Sequence, residues 1–129
     1  AIEPIVALRD KLSPDTKIVL NGDIMNKKQG IELAEKHGVD GIMIGRGIFH
    51  DPYCFSEGSP WEGVSRDDRI KLLIKHIKLH DKIYPEGERP FSPLKKFAKV
   101  YISGFPGASE LRDKIMHTET VAEALQVLE

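Results

Sequence analysis

Two short apolar segments of this chain each end in a glycine turn, and one helical segment separates them. Residues 17–20 (Lys-Ile-Val-Leu) precede Asn21-Gly22-Asp23, and residues 41–44 (Gly-Ile-Met-Ile) precede Gly45-Arg46-Gly47. Residues 27–37 between them have helical composition. Because strands joined by a helix run parallel, both turns should emerge at the same edge of the sheet. That edge binds phosphates in α/β sheets and barrels, so the pair predicts an α/β fold with a ligand site at the two turns.

The chemistry of the turns favours an anion. Glycines let a ligand approach the backbone N–H groups closely, and Arg46 adds a permanent charge that can bind phosphate through two hydrogen bonds. Two other interpretations exist. Asn21-Gly22 is also typical of a β-hairpin, although residues 23–26 alternate poorly and Asn26 is a suitable N-cap for the helix that follows. Glycine is also common at strand ends without any ligand, but a pair of turns separated by one helix favours the phosphate site.

Composition sets limits on the class of protein. The chain has 129 residues, 40% of them apolar and 30% charged, which fits a soluble globular protein. No apolar run approaches about 18 residues, so no membrane span is expected, and we predict a cytoplasmic protein. The single cysteine, Cys54, excludes an internal disulfide, and it lacks an obvious catalytic base nearby in sequence, so an inert buried thiol is expected.

The first residues suggest that the α/β part continues beyond this sequence. Residues 2–12 already have the pattern of a helix, with Ile2, Ile5, Leu8 and Leu12 on one face. A parallel sheet of two strands is not stable without cover on both faces. We therefore expect the chain to be the end of a longer protein. When isolated, it should self-associate through its exposed strand edges, or its α/β part should be poorly ordered.

The remainder of the chain is predicted to be helical. Residues 56–64 are rich in Gly, Ser and Pro and predict a linker. Helices are expected to begin near Ser65, Ser92, Ala108 and Thr120, where Ser65 and Thr120 have the spacing of capping boxes. Short loops between them predict an all-α helical bundle over residues 65–129.

Charge and histidine patterns in the helical part give two further hypotheses. Residues 90–117 carry five Lys or Arg against two acidic residues, although the whole chain has a net charge of −1, so this segment favours a polyanionic partner. The stripe of Lys71, Lys75, Lys78 and Lys82 on the preceding helix is typical of a solvated face. His76 and His80 have metal-ligand spacing, but no neighbouring Glu or Cys adds a third ligand, and we predict no metal site.

The order of these motifs resembles the C-terminal part of the tRNA-dihydrouridine synthase family. The resemblance is carried by Asn21-Gly22-Asp23, residues 40–47, Asp51-Pro52-Tyr53, Lys95-Lys96, residues 101–108 (Tyr-Ile-Ser-Gly-Phe-Pro-Gly-Ala) and Glu110-Leu111-Arg112. The first blocks are shared in kind by other FMN barrels, whereas the Gly-Phe-Pro-Gly-Ala block is far more specific. Members of this family use FMN to reduce the C5–C6 double bond of a uridine in tRNA, and NADPH reloads the flavin.

The resemblance implies a domain organisation and two sets of site residues. Residues 1–55 would be the last two βα units of a TIM barrel that binds FMN, residues 56–64 a linker, and residues 65–129 a helical domain that binds tRNA. The residues expected at the flavin phosphate are Asn21, Gly22, Asp23, Gly45 and Arg46. Those expected at the RNA are Lys95, Lys96, Lys99 and Arg112.

The resemblance also implies that catalysis needs residues outside this sequence. The family's catalytic cysteine donates a proton to the uracil ring and lies earlier in the barrel, whereas Cys54 follows the last strand and does not match it. We therefore expect no catalytic residue here and an inactive isolated fragment. The alternatives are a non-catalytic RNA-binding helical module, or another FMN-barrel oxidoreductase that acts on a small molecule; residues 104–108 argue against the latter.

Overall fold

A computed structural model describes residues 2–129 of the chain. The chain forms two compact units, of which the first ends at Trp61 and the second begins at Glu62. In the described residues, no helix is both long enough and apolar enough to cross a bilayer.

The first unit is a βα repeat. Helix α1 (Glu3–Leu12) is followed by strand β1 (Val19–Asn21), helix α2 (Lys27–His37) and strand β2 (Gly41–Met43), and then by a 3-10 helix at Arg46–Phe49. The two strands pair in parallel, with Leu20 opposite Ile42. The parallel sheet predicted from the sequence is therefore confirmed, and the hairpin interpretation is wrong.

The first strand begins two residues later than predicted because of a contact with the Asp40 carboxylate. The backbone N–H of Ile18 donates to Asp40 Oδ2 at 2.9 Å instead of to a strand partner, so β1 begins at Val19 rather than at residue 17. The same carboxylate accepts from Arg9 Nη1 at 2.6 Å and Lys17 Nζ at 3.3 Å. These donors, the Ile18 N–H above all, lower the pKa of Asp40 to about 2.

Helix α2 lies close against β2. Asn26 caps its N-terminus by accepting from the Gln29 N–H at 2.9 Å, as predicted, and Gly38 ends it with a φ of 67°. Gly30 faces the sheet so closely that a Cβ would lie 2.7 Å from the side chain of Ile42. Gly30 is therefore buried, whereas the neighbouring Ile31 is 44% exposed.

The core of the first unit is small. Ile24, Ile44 and Cys54 are buried in it, and Leu20, Leu33, Ile42 and Ile48 pack around them. Burial raises the pKa of the Cys54 thiol, as expected for an inert cysteine.

The predicted apolar face of α1 is not buried in this structure. Ile5, Leu8 and Leu12 on that face are 55–69% exposed. Polar contacts tie α1 to the rest of the unit, because Arg9 donates to Asp40 and also to the Gly38 carbonyl at 3.0 Å. The apolar stripe of the helix therefore has no cover within the part of this unit that the structure describes.

The second unit is all-helical, but the predicted four-helix bundle is not confirmed. Its elements are α3 (Arg66–Ile83), α4 (Ser92–Lys95), α5 (Ala98–Tyr101), α6 (Ala108–Met116) and α7 (Val121–Leu128). The single helix predicted from Ser92 is divided into α4 and α5. The division arises because the N–H groups of Lys96 and Phe97 donate to carbonyls three residues earlier, which tightens the chain between the two turns.

The longer helices begin and pack as their sequences predict. Ser65 Oγ accepts from the Asp68 N–H at 3.2 Å, and Thr120 Oγ1 accepts from the Glu123 N–H at 3.2 Å. Leu73 and Ile77 of α3 are almost completely buried. The other buried residues of this core include Leu94, Ala98, Ile102, Ile115 and Ala124.

Gly47 fixes the distance between the two turns of the first unit. A Cβ at this position would lie 2.7 Å from the carbonyl oxygen of Met25 and 3.0 Å from that of Ile24. Neither backbone oxygen can move without shifting the first turn, so only glycine permits this close approach.

We expect Gly47→Ala to destabilise the first unit by about 1–3 kcal/mol, the usual cost of overpacking. The matched control is Gly45→Ala, because a Cβ at Gly45 would meet no atom within 4 Å. Amide exchange of the α2 and β2 amides in the two variants measures the difference. Equal protection in both variants would contradict the role assigned to Gly47.

Candidate functional site

The two glycine turns lie side by side around one cavity. Parallel pairing in register places the end of β1 beside the end of β2, and the cavity between the turns has a volume of about 250 Å³. Its walls are formed by Asn21, Gly22, Asp23, Ile24, Met25, Gly45, Arg46 and Gly47. All five residues that the sequence predicted at a flavin phosphate therefore lie around the same cavity.

The first turn depends on two residues with positive φ. Gly22 has a φ of 138°, and Asp23, with a φ of 48°, is the one non-glycine residue with positive φ in the described chain. Asp is among the few L-residues that adopt the left-handed region readily. The turn ends where the Met25 N–H donates to Gln29 Oε1 at 2.8 Å, which ties it to the first turn of α2.

The second turn supplies the cation of the site. A Cβ at Gly45 or Gly22 would meet no other atom, so both glycines leave the cavity open to a ligand. The guanidinium of Arg46 extends from this turn toward the first, and its Nη2 forms an ion pair with Asp23 Oδ1. Both side chains are 80% exposed. Open glycine backbone beside an exposed guanidinium is suited to the oxygens of a phosphate.

The sequence predicted the polar residues of this site but not the apolar residues Ile24 and Met25 that also line the cavity. These two residues lie between the first turn and α2. Their carbonyl oxygens are the atoms that Gly47 approaches. The glycine in the third position of Gly45-Arg46-Gly47 was the signal for this close approach.

Two of the four predicted RNA-binding residues have structural contacts instead. Lys95 Nζ donates to the carbonyl oxygens of Met116 at 3.0 Å and Thr118 at 2.6 Å, which satisfies the C-terminal end of α6. Arg112 Nη1 donates to the Ile102 carbonyl at 2.7 Å. The charged groups of Lys95 and Arg112 are therefore engaged in holding the helical unit together.

Lys96 and Lys99 differ from these two residues. Both residues are exposed, and among the described residues neither ammonium group forms a hydrogen bond or an ion pair. They are consequently the members of the predicted RNA-binding set whose ammonium groups face solvent freely.

The Gly-Phe-Pro-Gly loop is held rigidly by arginines. Arg69 Nη1 donates to the Ser103 carbonyl at 3.0 Å, beside the Arg112 contact to Ile102. The Arg66 guanidinium lies 5.6 Å from the centre of the Phe105 ring. Gly104 and Gly107 have φ values of 74° and 81°. The residues that make this motif distinctive thus fix a tight connection between α5 and α6.

A larger cavity in the second unit lacks the features of an anion site. Its volume is about 500 Å³, and its lining includes Tyr84, Phe91, Leu125 and charged groups of both signs, such as Asp81 and Arg89. Among the described residues that line it, the one glycine is Gly87, so it lacks the two glycine turns of the smaller cavity. We therefore assign the candidate anion site to the smaller cavity of the first unit.

The two histidines with metal-ligand spacing have aromatic neighbours. His76 Nδ1 lies 2.8 Å from the hydroxyl of Tyr101, and His80 lies against the Tyr84 ring with 5.2 Å between ring centres. Burial lowers the pKa of His76. Among the described residues, no group of three or more His, Cys, Asp or Glu side chains is placed to hold a metal ion.

Comparison with known proteins identifies the family. The family model described as "Dihydrouridine synthase (Dus)" matches residues 1–129. A protein from Staphylococcus aureus (strain Mu50), named "Probable tRNA-dihydrouridine synthase", is 47% identical over 128 residues, which are 99% of this chain and 38% of that protein. "Probable tRNA-dihydrouridine synthase 2" of Bacillus subtilis (strain 168) is also 47% identical, over 99% of this chain and 39% of its own length.

The match is therefore nearly complete for this chain and partial for its relatives. The chain spans about 38% of the length of the Staphylococcus aureus protein. Because the family model covers the chain from its first residue to its last, the chain belongs to the dihydrouridine synthase family.

Proposed function

We propose that this chain supplies the flavin-phosphate site and part of the tRNA-binding surface of an FMN-dependent tRNA-dihydrouridine synthase. The observation that carries the proposal is the convergence of Gly22, Asp23, Gly45 and Arg46 on one cavity at the carboxyl ends of parallel strands. Phosphates bind at this position in β/α barrels. The family and the names of the relatives support tRNA as the substrate, which also favours a cytoplasmic location.

The residues around the cavity fit a phosphate group. Gly22 and Gly45 leave room where any Cβ would narrow the cavity, and Arg46 brings a guanidinium that can bind a phosphate through two hydrogen bonds. The flavin, when bound, would supply the hydride that reduces the uridine and would receive its own from NADPH. The part played by this chain is to bind and orient the cofactor through its phosphate.

Catalysis itself is assigned to the rest of the parent protein. Cys54, the one cysteine of the chain, is 1% exposed and packs with Ile24 and Ile44 in the core of the first unit. A thiol in that position cannot reach a uracil ring. We therefore propose that the isolated chain has no synthase activity.

In the parent protein, Arg46→Ala should weaken FMN binding. A charge-assisted contact with phosphate is worth about 1.5–3 kcal/mol, or roughly a 10- to 100-fold rise in the dissociation constant. Lys36→Ala, which removes an exposed charge from α2 of the same unit, should leave the constant unchanged. Fluorescence titration of the apoprotein with FMN measures both. An unchanged constant for Arg46→Ala would refute the proposed site.

We propose Lys96 and Lys99 as contacts with the tRNA backbone. Both are exposed and belong to the net positive segment 90–117, whereas Lys95 and Arg112 serve mainly to hold the helical unit together. Contacts with phosphates position a nucleic acid without reading its sequence. These lysines should therefore contribute to affinity and not to the choice of uridine.

The double variant Lys96→Ala/Lys99→Ala of the parent protein should bind tRNA less tightly. The magnitude of the slope of log K against log salt should decrease by up to about 1.4–1.8, because each of the two phosphate contacts contributes roughly 0.7–0.9. Filter binding at several salt concentrations provides the slope. The matched control, Lys75→Ala/Lys82→Ala on the exposed stripe of α3, should retain the parental slope, and an equal decrease in both variants would contradict the proposal.

We also propose that the first unit of the isolated chain self-associates. Both strands of the two-stranded sheet have an unpaired edge, and Ile5, Leu8 and Leu12 of α1 expose apolar surface. In a longer β/α repeat protein, neighbouring elements would cover this surface. In the isolated chain, a second copy is available to cover it.

Light scattering after size exclusion should accordingly give a mass above that of one 14.5 kDa chain. Leu8→Lys/Leu12→Lys should shift the mass toward the monomer, because charges on α1 oppose burial of its apolar face. The control variant Leu79→Lys/Met116→Lys changes exposed apolar residues of the second unit and should leave the measured mass unchanged. A monodisperse monomer of the unaltered chain would rule out self-association.

A further inference from the structure

We infer that Asp23 closes the anion site when it is empty, by competing with the phosphate for the guanidinium of Arg46. The inference rests on the proposed phosphate site and adds a regulatory contact to it. The carboxylate belongs to one turn and the guanidinium to the other, so their ion pair spans the space between the turns.

The contacts of the two side chains support competition. Asp23 and Arg46 are each 80% exposed, and within the described chain their mutual contact is the only ion pair or side-chain hydrogen bond that either forms. Exposed ion pairs are weak, so a ligand with a higher negative charge can displace the carboxylate. Arg46 is thus held at the cavity by a partner that it can release.

The charge of Asp23 should weaken phosphate binding at this site. A carboxylate only accepts hydrogen bonds, so Asp23 offers nothing from its side chain to phosphate oxygens, which are also acceptors. A phosphate in a cavity lined by both residues is attracted by Arg46 and repelled by Asp23. The Asp23 side chain should therefore lower the affinity of the site for phosphate, although the backbone of the same turn lines that site.

The backbone explains why an acidic residue is tolerated at this position, and it provides a clean variant. Asp23 has a φ of 48°, a conformation that Asn adopts as readily as Asp and that most other residues avoid. Asp23→Asn therefore keeps both the shape of the side chain and the turn while it removes the negative charge. The amide that replaces the carboxylate can also donate a hydrogen bond.

The test compares FMN with riboflavin, which lacks the phosphate, in titrations of the full-length apoprotein. Asp23→Asn should bind FMN about 3- to 10-fold more tightly and riboflavin with unchanged affinity. Asp15→Asn, which removes an exposed acidic charge from the same unit outside the site, should change neither affinity. Combined with Arg46→Ala, Asp23→Asn should tighten FMN binding less than it does alone, because no guanidinium is then released.

Unchanged or weaker FMN binding by Asp23→Asn would overturn the inference, and weaker binding would identify Asp23 as a group that orients Arg46. A different result would refute the proposed phosphate site itself. If Arg46→Ala weakens FMN binding no more than riboflavin binding, the phosphate does not bind at these turns. If Arg46→Ala selectively weakens FMN binding while Asp23→Asn fails to strengthen it, the site stands and competition by Asp23 is wrong.

Discussion

The parallel pairing of β1 with β2 determines the rest of the first unit. With Val19 opposite Gly41 and Asn21 opposite Met43, the turns that follow the strands lie beside each other. A shift of one residue would turn every side chain of one strand to the opposite face and separate the turns along the sheet. Gly47 then allows the second turn to touch the carbonyl oxygens of the first. The candidate site is therefore a direct consequence of the strand register and one close backbone approach.

Basic residues that lie close together in this sequence have different roles in the structure. Lys95 and Lys96 are adjacent in sequence, but Lys95 holds the end of α6 while Lys96 is exposed to solvent. Arg112 lies in the same positive segment and supports the loop after α5. Identical charges in one segment therefore divide into structural contacts and a surface available to a polyanion. Only geometry distinguishes them.

Features that depend on local chemistry could be predicted from the sequence. The caps at Asn26, Ser65 and Thr120 follow from side chains that accept hydrogen bonds from the backbone N–H three residues ahead. The parallel sheet followed from strand, helix and strand order. Five of the eight residues around the cavity were expected from two glycine turns at the ends of these strands.

Features that depend on distant partners could not be predicted in this way. The start of β1 is shifted because Asp40, 22 residues away, accepts the N–H of Ile18. Helix α1 is held in place in part by the contact of Arg9 with Asp40, 31 residues away. The division of the helix after Ser92 is a local event, but helical composition continues across it and gave no indication of the change to i→i−3 hydrogen bonds.

The most direct test of the account is a crystal structure of the complete parent protein with FMN bound. The account predicts that the phosphate lies between the two turns, within about 3 Å of backbone N–H groups of residues 22–23 and 45–47 and of the Arg46 guanidinium. A flavin phosphate bound at any other position, with the cavity between Gly22 and Gly45 left empty, would contradict it.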